Sequence, residues 1–290
     1  MNEKKNINEK IKTGKNVFFG ENCTFEGLKG SEGTISFGDN CSIRENCRFY
    51  IGDEFSMGDY GVIHRDTLIQ GYKPCKIGHN AWIGQNSIIN ATSELIIGNN
   101  CGIGIDSKIW THAFYGELLL GCRIAVGIPD FESRSGAVKI GDDFWGIGQI
   151  TISPGIEIGK KVIALTNSVI TKNIPDNTIV GGIPARPIAI DGDFKAYKDL
   201  NEGEKYELMK KFAIQFSELK HVKIQSDDLT KKITLGNNEI IINCSQNHSE
   251  DNPETTYFDV IKRTYTKKHH TLEKEFMNFI LSYRARFVPE

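Results

Sequence analysis

From Phe37 onward an apolar residue returns at every sixth position, usually followed by glycine and often, four places on, by a small side chain: IGDEFS from Ile51, MGDYGV from Met57, IGHNAW from Ile77, IGQNSI from Ile83, IGNNCG from Ile97, IGIDSK from Ile103, IGDDFW from Ile140 and IGKKVI from Ile158. A helix would repeat its apolar positions at steps of three and four, and a single strand would alternate. A step of six instead predicts a solenoid whose coil has three short faces. Each face needs one large inward side chain, one small inward side chain and a tight corner. Coils stacked at strand spacing form parallel sheets with neighbours about 4.8 Å apart. The fold class predicted is mainly β. Cys41, Cys47 and Cys101 share the small inward position with Ala81, Ser87 and Ser107, so those thiols are packing groups.

The coils are expected from Val17 to Pro175, with two interruptions. Residues 66–76 hold a short insertion, and Phe114 to Val138 leave the period as an excursion loop, a length that in compact domains usually serves function. After Pro187 the step of six stops. Residues 203–220 are predicted as a helix with Met209, Phe212, Phe216 and Leu219 on one face, and 271–287 as a second with Leu272, Phe276, Phe279, Ile280 and Tyr283. Between them KITLGNNEIIINC predicts a hairpin turning at 236–238, and TYFDVIKRTYTK a further strand. The expected domains are a solenoid over 1–190 and a small α+β appendage over 191–290.

Charge changes the picture little. There are 35 basic and 37 acidic residues, a net charge of -2, so no overall field draws the chain to nucleic acid. The leading MNEKKNINEKIKTGKN has no apolar core, and no uninterrupted apolar run is long enough to span a bilayer, so a cytoplasmic protein is expected. Seven scattered cysteines match neither a disulfide framework nor zinc spacing, and reduced thiols are expected.

Seven histidines offer a base near neutrality. His79 follows a corner glycine and reads as an exposed turn residue, while His221, His248, His269 and His270 fall outside the repeats. Counting in repeats puts Ile63, Ile89 and Ile109 in one column. His64, Asn90 and Trp110 should then stack, as should Asp66, Thr92 and His112. On that count Thr92 is the column neighbour of His112, Asp66 is two strand spacings away, and no carboxylate is assigned to orient the imidazole.

The segment IGDDFWGIGQITISPGIEIGKKVIALTNSVITKNIPDNTIVGGIPARPI, with the repeat and the loop before it, resembles the closing signature of hexapeptide-repeat acetyltransferases, and within them the sugar O-acetyltransferases that modify capsule and lipopolysaccharide. The resemblance spans about Phe37 to Ile188. It implies a left-handed parallel β-helix, a homotrimer with sites between neighbouring subunits, and acetyl-CoA as co-substrate with no metal. It makes His112, in the last repeat before the excursion, the general base, and places Trp145 beside both that histidine and a saccharide acceptor; Trp110 is a second candidate for binding the acceptor. Gly148, Thr166, Thr171, Lys172 and Arg186 match the CoA-binding positions. Gly148 would let the pantetheine approach the backbone, and Lys172 and Arg186 would pair with phosphates. Two departures from the pattern stand out: Gly146 and Ile147 are in inverted order, and Leu165 replaces a glycine.

The expected reaction is O-acetylation of a saccharide by direct attack of its hydroxyl on the thioester. N-acetylation of a nucleotide-linked amino sugar is the alternative. A γ-type carbonic anhydrase would need three zinc-binding histidines, two of them closely spaced, whereas only His64, His79 and His112 fall in the coils and none is near another. A non-enzymatic scaffold gives no reason for loop, histidine and closing signature to coincide.

Overall fold

The computed structural model describes residues 11–28, 31, 33–114, 117–121, 125–127, 135–245, 252, 254–282 and 284–290. Two compact units divide at Tyr197 and Lys198. The first is a left-handed parallel β-helix. Three parallel sheets form its faces, and one coil consists of Cys75–Ile77 in the first sheet, Trp82–Ile83 in the second and Ile88–Asn90 in the third. Among the described residues the coils already include Ile11, six residues before the expected start, since Ile11 pairs with Ile35.

The inward columns are continuous. Ile43, Ile63, Ile83 and Ile103 lie in register in the second sheet, and Ile69, Ile89, Ile109 and Ile152 in the third, all fully buried. Five phenylalanines pack the first coils, Phe19, Phe25, Phe37, Phe49 and Phe55, through ring contacts of 4.9 to 5.9 Å between centroids, while Phe18 lies exposed under Arg44. The six small inward residues Cys41, Cys47, Ala81, Ser87, Cys101 and Ser107 are all at most 1% exposed, as the period predicts.

The corners explain the recurrent Gly-Asx. At the turn leaving the first sheet, the backbone N–H of Lys15 donates to Asp39 Oδ1 one coil on (2.6 Å), that of Asp39 to Asp59 Oδ1 (2.8 Å), that of Asp59 to His79 Nδ1 (2.9 Å), that of His79 to Asn99 Oδ1 (2.8 Å) and that of Asn99 to Asp142 Oδ1 (2.9 Å). The preceding glycine is obligatory because a Cβ on Gly38 would fall 2.3 Å from Asp59 Oδ1 and one on Gly78 2.5 Å from Asn99 Oδ1. The residue after the acceptor takes the left-handed conformation at Asn40, Asn80, Asn100 and Asp143, where Asn and Asp are tolerated best. His79 is therefore not a free turn residue. It is half-buried, and its Nδ1 must stay unprotonated to accept the Asp59 amide.

The coil step varies, which corrects the column count. Ile11 pairs with Ile35, a step of 24; Cys75 with Leu95, a step of 20; Lys139 with Glu157, a step of 18; Ile163 with Ile179, a step of 16. The steps of 20 carry two extra residues at one corner, between the third sheet and the first, at 51–54, 71–74 and 91–94. The insertion expected at 66–76 is thus one member of a recurring feature. Ile63 belongs to the second sheet, so His64 and Asp66 do not stack beneath Trp110 and His112; Gln70 and Asn90 occupy that column. The long step, Leu95 to Val138, opens at the same corner. Of the excursion predicted at 114–138, Ala113–Phe114 pairs antiparallel with Ala125–Val126, and a 3₁₀ turn covers Leu118–Leu120. Its remaining expected course, with Cys122, lies mostly outside the described residues.

Both departures from the signature leave the register intact. Gly146 takes the inward place between Ile103 and Ala164, with Ile150 filling the volume where its side chain would be, and Ile147 points out. The Leu165 N–H still donates to the Val180 carbonyl (2.9 Å).

The second unit is a six-stranded sheet with two helices. α1, Glu202–Lys220, opens on a capping box of Asn201 and Glu204 and buries Tyr206, Met209, Ala213 and Phe216; Leu219, predicted on that face, is exposed. The hairpin forms as Lys232–Leu235 against Ile240–Asn243, and Thr256–Asp259 adds in parallel to its second strand. α2, Thr271–Leu281, ends at Ser282 rather than 287: the Arg284 and Ala285 amides both turn back onto the Ile280 carbonyl, and Phe287 is buried beyond the helix. His270 caps α2 by accepting the Glu273 N–H (3.1 Å), a structural role. His248 and Tyr283 lie outside the described residues.

Burial pushes the thiol of Cys41 up to about 11 and those of Cys47, Cys75 and Cys244 up to about 12. Thiolate is the reactive form. In native protein at pH 8 these four should resist iodoacetamide while denatured protein is fully labelled, as resolved by peptide mass spectrometry; rapid native labelling of any of them would contradict this packing.

Candidate active site

His112 stands just past the third-sheet strand Lys108–Ile109, where the chain leaves the coil for the excursion. Its ring lies 6.2 Å from that of Trp110, edge-on at 75°. Its Nδ1 is 3.1 Å from the side-chain oxygen of Asn90, one coil below. Asn90 is 2% exposed, and its Oδ1 also receives the Thr92 N–H (3.2 Å), the Thr111 N–H (3.4 Å) and the Thr111 hydroxyl (2.9 Å).

Backbone amides can only donate, so the group facing them is the amide oxygen and not the nitrogen. An oxygen that accepts from His112 requires the proton of the neutral ring to sit on Nδ1. Nε2 then carries the free lone pair, which is the requirement for a base. Repeat counting had placed Asn90 in the column of Trp110 and singled out Thr92 for His112. Thr92 does lie one coil below His112, yet it bonds to Asn90 instead: its hydroxyl accepts the Asn90 amide N–H (3.1 Å). The orienting group is therefore a neutral amide, and the signal that could have found it is its place directly under Trp110, two residues before the position under His112.

The other predicted residues separate into two groups. Thr171 and Lys172 follow the third-sheet strand Val169–Ile170, so Thr171 sits two coils above Trp110 on the His112 side of the prism. Trp145, Gly148, Thr166 and Arg186 belong to the second sheet and its following corner. Trp145 pairs with Gly102, and a Cβ there would fall 2.3 Å from the indole, so the missing side chain makes room for the ring. Gly148 and Thr166 are successive levels of the corner, tied by the Asn167 N–H to the Gly148 carbonyl (3.1 Å). Arg186 closes the sheet opposite Gly181 and is exposed. Within one chain Trp145 is thus not beside His112.

His64 also lies on the second sheet, its ring 4.7 Å from that of Trp82. Burial, reinforced by the Arg44 charge, pushes its imidazole below the ordinary value. Among the described residues no group of three His, Cys, Asp or Glu side chains is placed to hold a metal ion, and no helix is long and apolar enough to cross a membrane.

No family model matches the chain. The galactoside O-acetyltransferase of Escherichia coli K12 is 23% identical over 169 residues, 54% of this chain and 78% of that protein. WbbJ of the same organism, named for O-acetyl transfer in lipopolysaccharide biosynthesis, is 41% identical over 61 residues, 21% of this chain and only 31% of its own length. The solved structure of AntD, an N-acyltransferase from Bacillus cereus in complex with dTDP and 3-hydroxybutyryl-CoA, aligns with 69% of this chain and 91% of its own at 19% identity and a TM-score of 0.39. In its hexapeptide coils and in its likeness to these two Escherichia coli proteins, the chain resembles the hexapeptide-repeat acetyltransferases.

Proposed function

We propose that the chain is an acetyl-CoA-dependent O-acetyltransferase of saccharide hydroxyls, with His112 as general base. The observation that carries this reading is the bond from His112 Nδ1 to Asn90, which leaves Nε2 as a proton acceptor at the mouth of the excursion. As the acceptor oxygen bonds to the thioester carbonyl carbon, its proton passes to Nε2. When the tetrahedral intermediate collapses, the C–S bond breaks and the same proton leaves Nε2 for the departing thiolate. Asn90 holds the ring in line for both transfers without burying a second charge, which would be costly at 2% exposure. Trp110 offers a flat apolar face with an N–H at its edge, a surface that suits a sugar ring.

The two groups of residues support an intersubunit site. His112, Trp110, Thr171 and Lys172 form one half, and Trp145, Gly148, Thr166 and Arg186 the other, so a complete site takes the third-sheet side of one copy and the second-sheet side of the next. The homotrimer that the family resemblance implies provides this arrangement three times. Gly148 leaves backbone open to the pantetheine, and the exposed Lys172 and Arg186 pair with phosphates. Residues 198–290 contribute no catalytic group in this reading and serve acceptor selection or assembly.

His112→Ala should lower turnover by about two to four orders of magnitude, followed as free thiol, with acetyl-CoA affinity nearly unchanged in calorimetry. Turnover near wild type would remove His112 from the role. The acceptor panel in that assay spans oligosaccharides, sialic acids and nucleotide-linked amino sugars; turnover confined to the amino sugars would shift the reading to N-acylation. Sedimentation should give three times the 32.5 kDa chain mass, and an active monomer would refute the shared site. Truncation after Tyr197 should leave acetyl-CoA binding intact while abolishing acceptor turnover or trimer stability. A stable truncated trimer unable to bind acetyl-CoA would place part of the donor site in the second unit.

A further inference from the structure

We infer that the hydroxyl of Thr111 is a positioning group that sets the tautomer of His112 through Asn90, and that the neck of the excursion loop holds this hydroxyl in place. The inference rests on the reading of His112 as base. Thr111 is completely buried. Its Oγ1 receives the Ser93 backbone N–H (3.0 Å), an obligatory donor, so the hydroxyl proton is directed to the other neighbour, Asn90 Oδ1 (2.9 Å). The Ser93 amide thus directs the Thr111 proton to the same oxygen that the Thr92 and Thr111 amides already face, and the chain runs Ser93 N–H to Thr111, Thr111 O–H to Asn90, and His112 Nδ1–H to that amide oxygen.

The Thr111 hydroxyl makes the shortest of the four contacts to that oxygen, the two backbone amides being longer at 3.2 and 3.4 Å. Without it, rotation of the Asn90 amide by half a turn is opposed only by the two longer amide contacts and by the bond from the Asn90 N–H to the Thr92 hydroxyl (3.1 Å), so the flipped amide gains population. Its NH₂ would then face the ring, drive the imidazole proton to Nε2 and remove the base.

The loop neck is built onto the same residue. Ser93 Oγ donates to the Gly127 carbonyl (3.3 Å), and the backbones of Gly127 and Gly136 close on the Thr111 carbonyl so tightly that a Cβ would fall 2.0 Å from it at the first and 1.8 Å at the second. Gly127 also has a positive φ of 66°. Two glycines of the excursion, one at its middle and one near its end, thus meet at the residue before His112, and Ser93 ties the hydroxyl to the first of them. Displacement of the neck would move Thr111 and the tautomer together.

The test is imidazole nitrogen NMR on the full-length protein carrying ¹⁵N-histidine, with His112 assigned by the loss of its signals in His112→Ala. In wild type the neutral ring should show Nδ1 protonated and Nε2 bare; the reverse would overturn the inference without any variant. Thr111→Val should mix or reverse the two and lower kcat by on the order of tenfold or more, with acetyl-CoA binding unchanged, since small misplacements of a catalytic group have effects of that size. Thr111→Ser should restore both readouts. An unchanged nitrogen pattern and kcat in Thr111→Val, or failure of Thr111→Ser to restore them, would mean that the side chain only packs. Should Thr111→Val not fold, the wild-type tautomer and the serine variant still decide. If the tautomer moves as expected while neither Thr111→Val nor His112→Ala alters turnover, the network stands and the role of His112 as base falls.

Discussion

A parallel coil has to turn three times per level without stranding the amides at its corners, and this constraint governs the first unit. The solution is local and repeated: a glycine whose missing Cβ admits the next coil, a side-chain acceptor for an amide one level down, and a left-handed residue that completes the bend. Asp, Asn and His79 are interchangeable in the acceptor place because the corner asks only for a lone pair at the right height. Once the corners are satisfied, the isoleucine columns follow, since each face has room for one large inward side chain per level.

Most of this was legible in the sequence because glycine, acceptor and inward residue recur at fixed separations. The repeat located the coils and the small inward positions, and the turn residues located the hairpin of the second unit. What escaped was the length of the coil. Two extra residues at one corner carry no signature of their own, and a count in sixes moves Ile63 from the second sheet to the third. That slip put His64 and Asp66 under Trp110 and His112. The orienter of His112 escaped for another reason: Asn90 stacks under Trp110 as counted, but the column carries no sign that its side chain crosses to the ring two residues on. The end of α2 escaped for a different reason: the apolar period continues to Phe287, but a serine cap and a backbone return onto Ile280 end the helix first.

The widened corner is also where the chemistry collects. A six-residue face gives its corner no spare atoms, whereas the longer turn at 91–94 brings Thr92 and Ser93 over the strand below the excursion and lets them engage Asn90 and Thr111. The residues beyond the excursion step by 18 and then 16, and there the corners offer backbone and exposed cations instead of a buried polar network. The change of coil length therefore divides a region suited to holding a proton acceptor from one suited to a long, phosphate-bearing co-substrate.

The steps of 24, 20, 18 and 16 also give the prism a direction. At the narrow end Arg186–Pro187 runs back antiparallel on Ile179–Gly181, and the Phe194 carbonyl takes up the Ile179 amide. A bare parallel edge would template the strand of another molecule and propagate into a fibre. The reversed strand presents the wrong polarity for the next parallel level, so this end of the solenoid acts as a terminator of growth and leaves the flanks of the prism as the surfaces for association.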